Sequence, residues 1–436
     1  MGLHYALGSA LYIGKKLSLT TKKLISNSNL HHSKDRQMTA PQETPSRIEP
    51  CLLDSIDPKT ADLATDLAWK AGQLGKKLHE KTAGNLSDLV RIANCYYSNL
   101  IEGHKTKPKD IERALAEDFD NEGRSRNLQV EARAHVRLQK RLDDSYLKGE
   151  LPNPWTVDFI KDLHRDFYKD ATEEMLLIQG NGHHFYMTPG EFRSVPEHDV
   201  EIGQHIPPSS TAVESFMRYF ENRYCMEPMR MNSRIITMAA AHHRFNYIHP
   251  FPDGNGRVSR LMSHAMGLYA GIGANGLWSV SRGLSRGLEG GMTYKQMMNH
   301  ADMKRQGDLD GRGNLSKRAL TDFINWFIEV CIDQITFMSS LYDFGAMESR
   351  LEKFIETHEL RNESINILKY VWRNGEVSRG EALTVTGLGE RTARSVLAAL
   401  LEKGVLGSDT VKGPVSIRFP VESIDIFFPR LFSESS

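Results

Sequence analysis

The stretch "HPFPDGNGRVSR", from His249 to Arg260, separates two helical patterns and fixes where the chain must turn. "NSRIITMAAAHHRFNYI" keeps helical spacing up to His249, and Pro250 and Pro252 end it because proline lacks an N–H and clashes with the preceding turn. A second pattern starts near Arg257 and carries on through Leu261, Met262, Ala265 and Leu268. Between the two, Gly254, Asn255 and Gly256 reach positive φ cheaply and can turn successive N–H groups one way. Such a nest at a helix N-terminus is an anion site. Arg257 and Arg260 share a face of that first turn, where the helix dipole disfavours cations, so the pair makes sense with a polyphosphate between them. Asp253 supplies a hard oxygen of the kind Mg2+ takes. His249, with an ordinary histidine pKa of about 6.5, can remove a proton from a hydroxyl. Base, metal ligand, anion nest and charge clamp together read as a phosphate-transfer site.

The rest of the chain is read as mainly α. From about Asp62 onward apolar residues recur at helical spacing nearly throughout. "NLSDLVRIANCYYSNLIEG" aligns Leu89, Ile92, Ala93, Tyr96 and Leu100, with Ser87 expected as N-cap and Gly103 as stop. "QVEARAHVRLQKRLDD", "PWTVDFIKDLHRDFYKD" and "TAVESFMRYFENRY" are further helices. "HHFYMTPGEFRSVPEHDVEIGQHIPPSS" breaks the rhythm with Pro189-Gly190, Pro196 and Pro207-Pro208, and its "DVEIG" run predicts a small hairpin or extended flap. "GDLDGRGN" has the look of a calcium loop but misses most of its ligand positions, and reads as a turn into a helix capped by Ser316. That helix puts Leu320, Phe323, Ile324, Phe327, Ile328 and Cys331 on one face. His242 and His243 are read as core or supporting residues rather than ligands.

At the C-terminal end, "NESINILKYVWRNG", "SRGEALTVTG" and "ERTARSVLAALLEKG" are three helices, followed by an alternating "VLGSDTVKGPVSIRFP" with Gly413-Pro414 at its turn. Three helices and a two-stranded wing make a winged helix-turn-helix pattern over 355–436. The 436 residues suit roughly two or three domains. Residues 1–50 read as a disordered or mis-assigned extension, with Met38 an alternative start. The segment "GSALYIGKK" within it only superficially resembles a P-loop. Residues 51–130 form an N-terminal helical region and 131–345 the catalytic core. Lys plus Arg and Asp plus Glu are equal at 55, so an anion site must be a local arrangement. Four scattered cysteines without a CxxC pair argue against a disulfide scaffold or zinc ribbon, and no apolar run is long enough to span a membrane. The expected location is cytoplasmic, with no membrane partner.

His249, Pro250, Phe251, Asp253, Gly254, Asn255, Gly256, Arg257 and Arg260 match HPFx[D/E]GNGRxxR, and the chain on these residues resembles the Fic family over roughly residues 60 to 340. "PGEFR" (Pro189 to Arg193) and "IGQHIPP" (Ile202 to Pro208) look like that family's flap. The resemblance implies an all-helical enzyme that moves AMP from ATP, with Mg2+, to a Ser, Thr or Tyr hydroxyl of a target protein, releasing pyrophosphate. It implies His249 as base and Asp253 as Mg2+ ligand. Gly254, Asn255 and Gly256 would cradle phosphates, and Arg257 and Arg260 would grip the distal ones, with Val258 and Ser259 in the same nucleotide-contacting run. Ile202, Gly203, Gln204 and His205 would hold the target backbone and border the nucleotide; Tyr294 and Asp302 fall near the nucleoside. Ser98, Glu102 and Gly103 in "SNLIEG" fit the family's inhibitory [S/T]xxxE[G/N] helix, which places Glu102 against the nucleotide site, reaching Arg260 as a bidentate pair. A homodimer is a further expectation of the resemblance.

Other readings stay open on the sequence. The winged helix carries Arg391, Arg394 and Lys403, which suits DNA, but Glu390 and Glu402 offset that charge and leave a structural or target-recognition role. The same site could use another nucleotide, or Glu102 could activate water for removal of AMP. Gly256 favours nucleotidyl transfer over the kinase-like variants of the family, which replace that glycine.

Overall fold

Local capping chemistry sets several helix starts in the computed structural model, which describes residues 43–121, 123–180 and 183–432. In chain order the helices are α1 (Pro58–Gly75), α2 (Glu80–Ile101), α3 (Pro108–Leu115), α4 (Arg124–Leu147), α5 (Val157–Phe167) and α6 (Glu173–Leu176). An antiparallel hairpin of β1 (Leu177–Gly180) and β2 (His183–Tyr186) follows. Then come α7 (Val213–Arg223), α8 (Met231–Ile248), α9 (Asn255–Tyr269), α10 (Val280–Arg286), α11 (Tyr294–Ala301), α12 (Lys317–Leu341), α13 (Phe344–Thr357) and α14 (Ser364–Asn374). The chain closes with β3 (Glu376–Val377), α15 (Arg379–Val385), α16 (Glu390–Glu402), β4 (Leu406–Gly407), β5 (Val415–Ile417) and α17 (Ile424–Phe427). Asp57, Thr156 and Ser316 each accept a first-turn N–H of α1, α5 and α12. Thr293 and Ser378 close reciprocal capping boxes on α11 and α15.

α8 is the central rod. Every residue from Ile235 to Phe245 is buried, as expected of a helix packed on all sides. It lies against α1, α7, α9 and α12. Its polar side chains are satisfied internally: Arg244 donates to the carbonyls of Pro50 and Ala301 (Nε 3.2 Å and Nη2 2.9 Å to Pro50, Nη1 3.2 Å to Ala301). His242 bridges Ser263 and Tyr294 at 2.8 Å each, in keeping with the supporting role read for it.

Several expectations change. Ser87 is not an N-cap; α2 begins at Glu80 with His79 as its cap, and Ser87 is buried inside it, donating to the Gly84 carbonyl at 2.7 Å. The flap at "DVEIG" is a single bridge between Ile202 and His205 rather than a ladder, and the chain's longer hairpin, β1–β2, lies upstream. Glu43–Pro50 is packed, not an irregular tail: Ile48 is fully buried and Glu49 pairs with Arg223 at 2.7 Å. The rest of the expected extension, including Met38 and "GSALYIGKK", lies outside the described residues. The boundary at 130/131 falls inside α4, and α13 occupies the expected linker after 345.

The C-terminal residues bring α14, α15 and α16 together with a three-stranded antiparallel sheet in the order β3-β5-β4, one strand more than the sequence suggests. The set packs directly on α2. Asn85 donates to the Ile417 carbonyl at 2.9 Å and Lys81 pairs with Asp409. Tyr97 donates to the Leu431 carbonyl at 2.8 Å, and Tyr96 meets Phe432 edge-on. Removing residues from Leu360 onward strips this cover from α2 and uncovers the side chains that face it, Tyr96 and Tyr97 among them, while α4 and α10 stay packed on the rest. At about 1.5–3 kcal/mol per large side chain uncovered, a few such losses consume the usual stability margin. The truncated chain is expected to aggregate or melt well below the full chain in a thermal scan; an unchanged Tm would show the C-terminal set to be energetically separate.

Candidate active site

His249 terminates α8 in the left-handed region (φ 50), directly before Pro250. Arg193, 1% exposed, holds that turn by donating to the carbonyls of His249 at 2.8 Å and Ile248 at 3.2 Å. The same guanidinium reaches the Pro208 carbonyl and the Ser210 hydroxyl, both at 2.9 Å, so it ties the His249 backbone to the far end of the flap. Burial, then the charges of Arg193 and His205, lowers the His249 pKa to about 3. The shift favours the neutral ring, the form a base needs, on a side chain that is only partly buried and opens to the cleft.

α9 starts at Asn255, with Gly254 as N-cap at φ 79. Only Gly254 of the three expected glycine-nest residues has positive φ; Asn255 and Gly256 are already helical. Gly254 is doubly constrained, because a Cβ there would sit 2.8 Å from the Tyr168 ring. Asn255 turns its amide back on the loop, accepting from Phe251 N at 2.9 Å and donating to Phe251 O at 2.7 Å. Its side chain thus shapes the loop and leaves only its backbone N–H for an anion. Val258 is fully buried in the core, and Ser259 donates to the Gly256 carbonyl at 2.8 Å. Arg257 is 4% exposed and lies between Glu131 (2.5 Å) and Asp253 (3.0 Å), outside the cleft that Glu102 and Arg260 line.

Arg260 does face it. Its Nη2 is 2.6 Å from Glu102 Oε1 and 3.2 Å from the Ser98 carbonyl, while Nε donates to the Ser98 hydroxyl at 2.9 Å. The contact with Glu102 is single-pronged, not bidentate; Ser98 takes Nε and shares Nη2. Burial works against charge on Glu102, but Arg260 and then Arg257 outweigh it and hold the carboxyl below its usual range. The carboxylate also lies over the first turn of α9, where a Cβ on Gly256 would come within 2.3 Å of Oε1. It sits on the positive end of the helix, where an anion is favoured. Gly103 follows at φ 81 and ends the helix.

A cleft of about 630 Å³ opens beside these groups. Among the sequence-derived residues it is lined by Glu102, Ile202, Gly203, Gln204, His205, His249, Gly256, Arg260, Tyr294 and Asp302. Ser98, Gly103, Asp253, Gly254, Asn255, Arg257, Val258 and Ser259 do not line it. Ile202 and His205 exchange both backbone hydrogen bonds at 3.0 Å around Gly203 at φ 61. His205 donates through Nε2 to the Tyr247 carbonyl at 2.8 Å, and Asp302 stands between its ring (3.4 Å) and that of His243 (3.1 Å). Burial opposes the Asp302 charge; the hydrogen bond from His243, with His205 and Arg244, more than compensates and keeps it ionised. Tyr294 is anchored by His242, and burial pushes its hydroxyl pKa up.

Ile101, Asn246, Tyr247, Lys295, Met298 and Asn299 complete the lining and were not singled out in the sequence. Nor were Tyr168 and Glu131. Tyr168 reads as an ordinary core aromatic. Glu131 does leave a trace, since it shares a helical face with Ala134, His135, Leu138 and Leu142, and a carboxylate on an apolar stripe calls for a buried partner. Asp253 is 48% exposed at its side chain. Among the described residues no group of three or more His, Cys, Asp or Glu could hold an ion by itself.

Residues 154–266, which run from the start of α5 through most of α9, match the Fic/DOC family, and the chain carries a Fic domain. The Protein adenylyltransferase Fic of Nematostella vectensis is 27% identical over 221 residues, 49% of this chain and 47% of that protein. That of Drosophila mojavensis is 37% identical over 90 residues, 21% and 17% of the two chains. The chain thus spans less than half the length of these curated relatives. Among solved structures, a Fic family protein from Desulfovibrio desulfuricans G20 is 15% identical with a TM-score of 0.47, covering 84% of this chain and 98% of that one. A Fic domain containing signaling protein from Bacteroides thetaiotaomicron VPI-5482 is 20% identical with a TM-score of 0.46, covering 63% and 96%.

Proposed function

We propose that the chain is a protein adenylyltransferase, moving AMP from ATP to a hydroxyl side chain of a target protein and of itself, and restrained by Glu102. The observation that carries this reading is the single cleft in which His249, the first turn of α9, Arg260 and the flap meet. The target hydroxyl oxygen attacks the α-phosphorus while its proton passes to the neutral His249 imidazole. The bond to the bridging oxygen of the β-phosphate breaks and pyrophosphate leaves. The α9 N-terminus and Arg260 receive the charge on the phosphates. The flap offers backbone groups at Ile202–His205 to align the target chain, and Tyr294 and Asp302 border the nucleoside.

One exposed carboxylate, Asp253, fits Mg2+ that keeps waters and takes its other ligands from a nucleotide. Held by Asp253, the ion would supply positive charge that offsets the charge on the phosphates. Asp253→Ala is thus expected to remove activity along with its metal requirement. Transfer is tested by incubating the protein with labelled ATP, UTP, GTP and CTP in turn and resolving it on a gel. Label from ATP alone supports adenylylation, label from another nucleotide reassigns the donor, and no label from any, in the Glu102→Gly protein as well, overturns the reading. Loss of AMP from a pre-modified target would mark the reverse activity.

Residues 355–436 are read as a winged helix-turn-helix, supported by α14–α16 and the β3-β5-β4 sheet. Arg394 is paired with Glu390 on the third helix, which favours target recognition or support of α2 over DNA.

A further inference from the structure

The half-exposed Asp253 carboxylate takes both of its side-chain partners on one oxygen, with the Gly254 N–H as a backbone donor beside them. Oδ2 accepts from the Tyr168 hydroxyl at 3.0 Å and from Arg257 Nη2 at 3.0 Å. The same Nη2 donates to the Tyr168 oxygen at 2.8 Å, so the three groups form a closed triangle. Arg257 Nη1 lies 2.5 Å from Glu131 Oε1, and its guanidinium carbon stands 5.3 Å and 5.6 Å from the rings of Phe167 and Tyr168. Tyr168, Arg257 and Glu131 are 2%, 4% and 8% exposed, whereas the Asp253 side chain they hold is 48% exposed. The supports come from three separate helical elements: Glu131 from α4, Tyr168 from the end of α5, and Arg257 from α9. Gly254 allows the Tyr168 ring to press against the loop, since any Cβ there would meet it.

A buried guanidinium needs a counter-charge, and Asp253 alone leaves Nη1 without one. Glu131 supplies it from behind, so Arg257 keeps Nη2 on the loop carboxylate instead of swinging toward a nucleotide. We infer that Tyr168 and Glu131 are positioning residues for Asp253, Tyr168 by fixing Oδ2 and Glu131 by fixing Arg257, so that the other carboxylate oxygen is presented to a divalent cation. This rests on the proposed role of Asp253. Partners of this kind, behind a ligating carboxylate, typically change metal affinity about ten- to a hundredfold when removed.

The test is Mn2+ titration of the full chain in the presence of a non-hydrolysable ATP analogue, read by water-proton relaxation, for wild type, Tyr168→Phe, Glu131→Gln and Asp253→Ala. Affinity for the analogue without metal and Tm are measured alongside. Tyr168→Phe and Glu131→Gln are expected to weaken Mn2+ binding about tenfold, with metal-free analogue affinity within about twofold. A merely structural role would lower both affinities together, and that outcome overturns the inference. So does Mn2+ affinity within about twofold of wild type in Tyr168→Phe while Asp253→Ala loses it; the same result for Glu131→Gln alone removes Glu131 from the assignment. Mn2+ binding that survives Asp253→Ala overturns the role of Asp253 itself, and with it this inference. A variant that unfolds is replaced by Tyr168→Trp or Glu131→Asp and judged by the same limits.

Discussion

Glu102→Gly is expected to raise incorporation of labelled AMP into the protein by about tenfold or more, because a misplaced phosphate chain costs orders of magnitude in rate. The Glu102 carboxylate takes Arg260 Nη2 and lies over Gly256, the two places where distal phosphates would settle. A nucleotide entering the wild-type cleft must set its phosphates elsewhere, away from the line of attack. Glycine at 102 strains nothing, since Glu102 has φ −77 and Gly103 already makes the left-handed turn. Glu102→Asp keeps the charge on a shorter arm and is expected to raise incorporation less. Equal incorporation by wild type and Glu102→Gly would leave Ser98 and Glu102 as an ordinary helix end.

His249→Ala, made in the Glu102→Gly protein, is expected to lower transfer by about 10²–10⁴-fold, the usual share of a positioned base. Nucleotide binding should persist, because Arg260, Gly256 and the flap are untouched by the change. The His249 backbone is held by Arg193 through carbonyl oxygens, so removing the ring does not release the turn. The pH profile carries a second check. With its pKa lowered to about 3, the ring stays unprotonated as pH falls through the reference value of about 6.5. Activity should therefore show no loss near that pH that disappears in a variant of this residue. Transfer within about tenfold of the parent after His249→Ala would assign the base elsewhere.

The helix starts were legible wherever the signal was local. Ser316 caps α12 as its position suggests, and Pro250 and Pro252 end α8 where they must. Ser87 misled because the expected pattern began at Asn85, whereas α2 starts at Glu80 and carries Gly84 inside it. An interior glycine costs only about 1 kcal/mol, and packing of α2 on the C-terminal sheet through Asn85 outweighs that. The motif from His249 to Arg260 located the cleft but does not by itself set the directions of Arg257 and the Asn255 amide. Their orientations depend on Glu131 and Phe251, and only the first of these is remote: the Glu131 contact crosses from α4 to α9, which no spacing within the motif encodes. Ile202–His205 was placed by its likeness to the family's flap, but its anchor on Tyr247 and Asp302 joins segments far apart in the chain.

The bare Cα of Gly256 has a further implication. The space above it is filled by a carboxylate that belongs to the same chain, so that occupant cannot be diluted, washed out or outlasted. A tethered competitor acts at a fixed local concentration, of the order of millimolar for short flexible connections and effectively higher on a rigid helix. Ligands that end before the distal phosphates never meet it, whereas longer ones must work against it at any protein concentration. Wild-type protein and Glu102→Gly should accordingly differ little in affinity for AMP and more for each phosphate added, which makes the length of the phosphate chain a ruler for where the carboxylate stands.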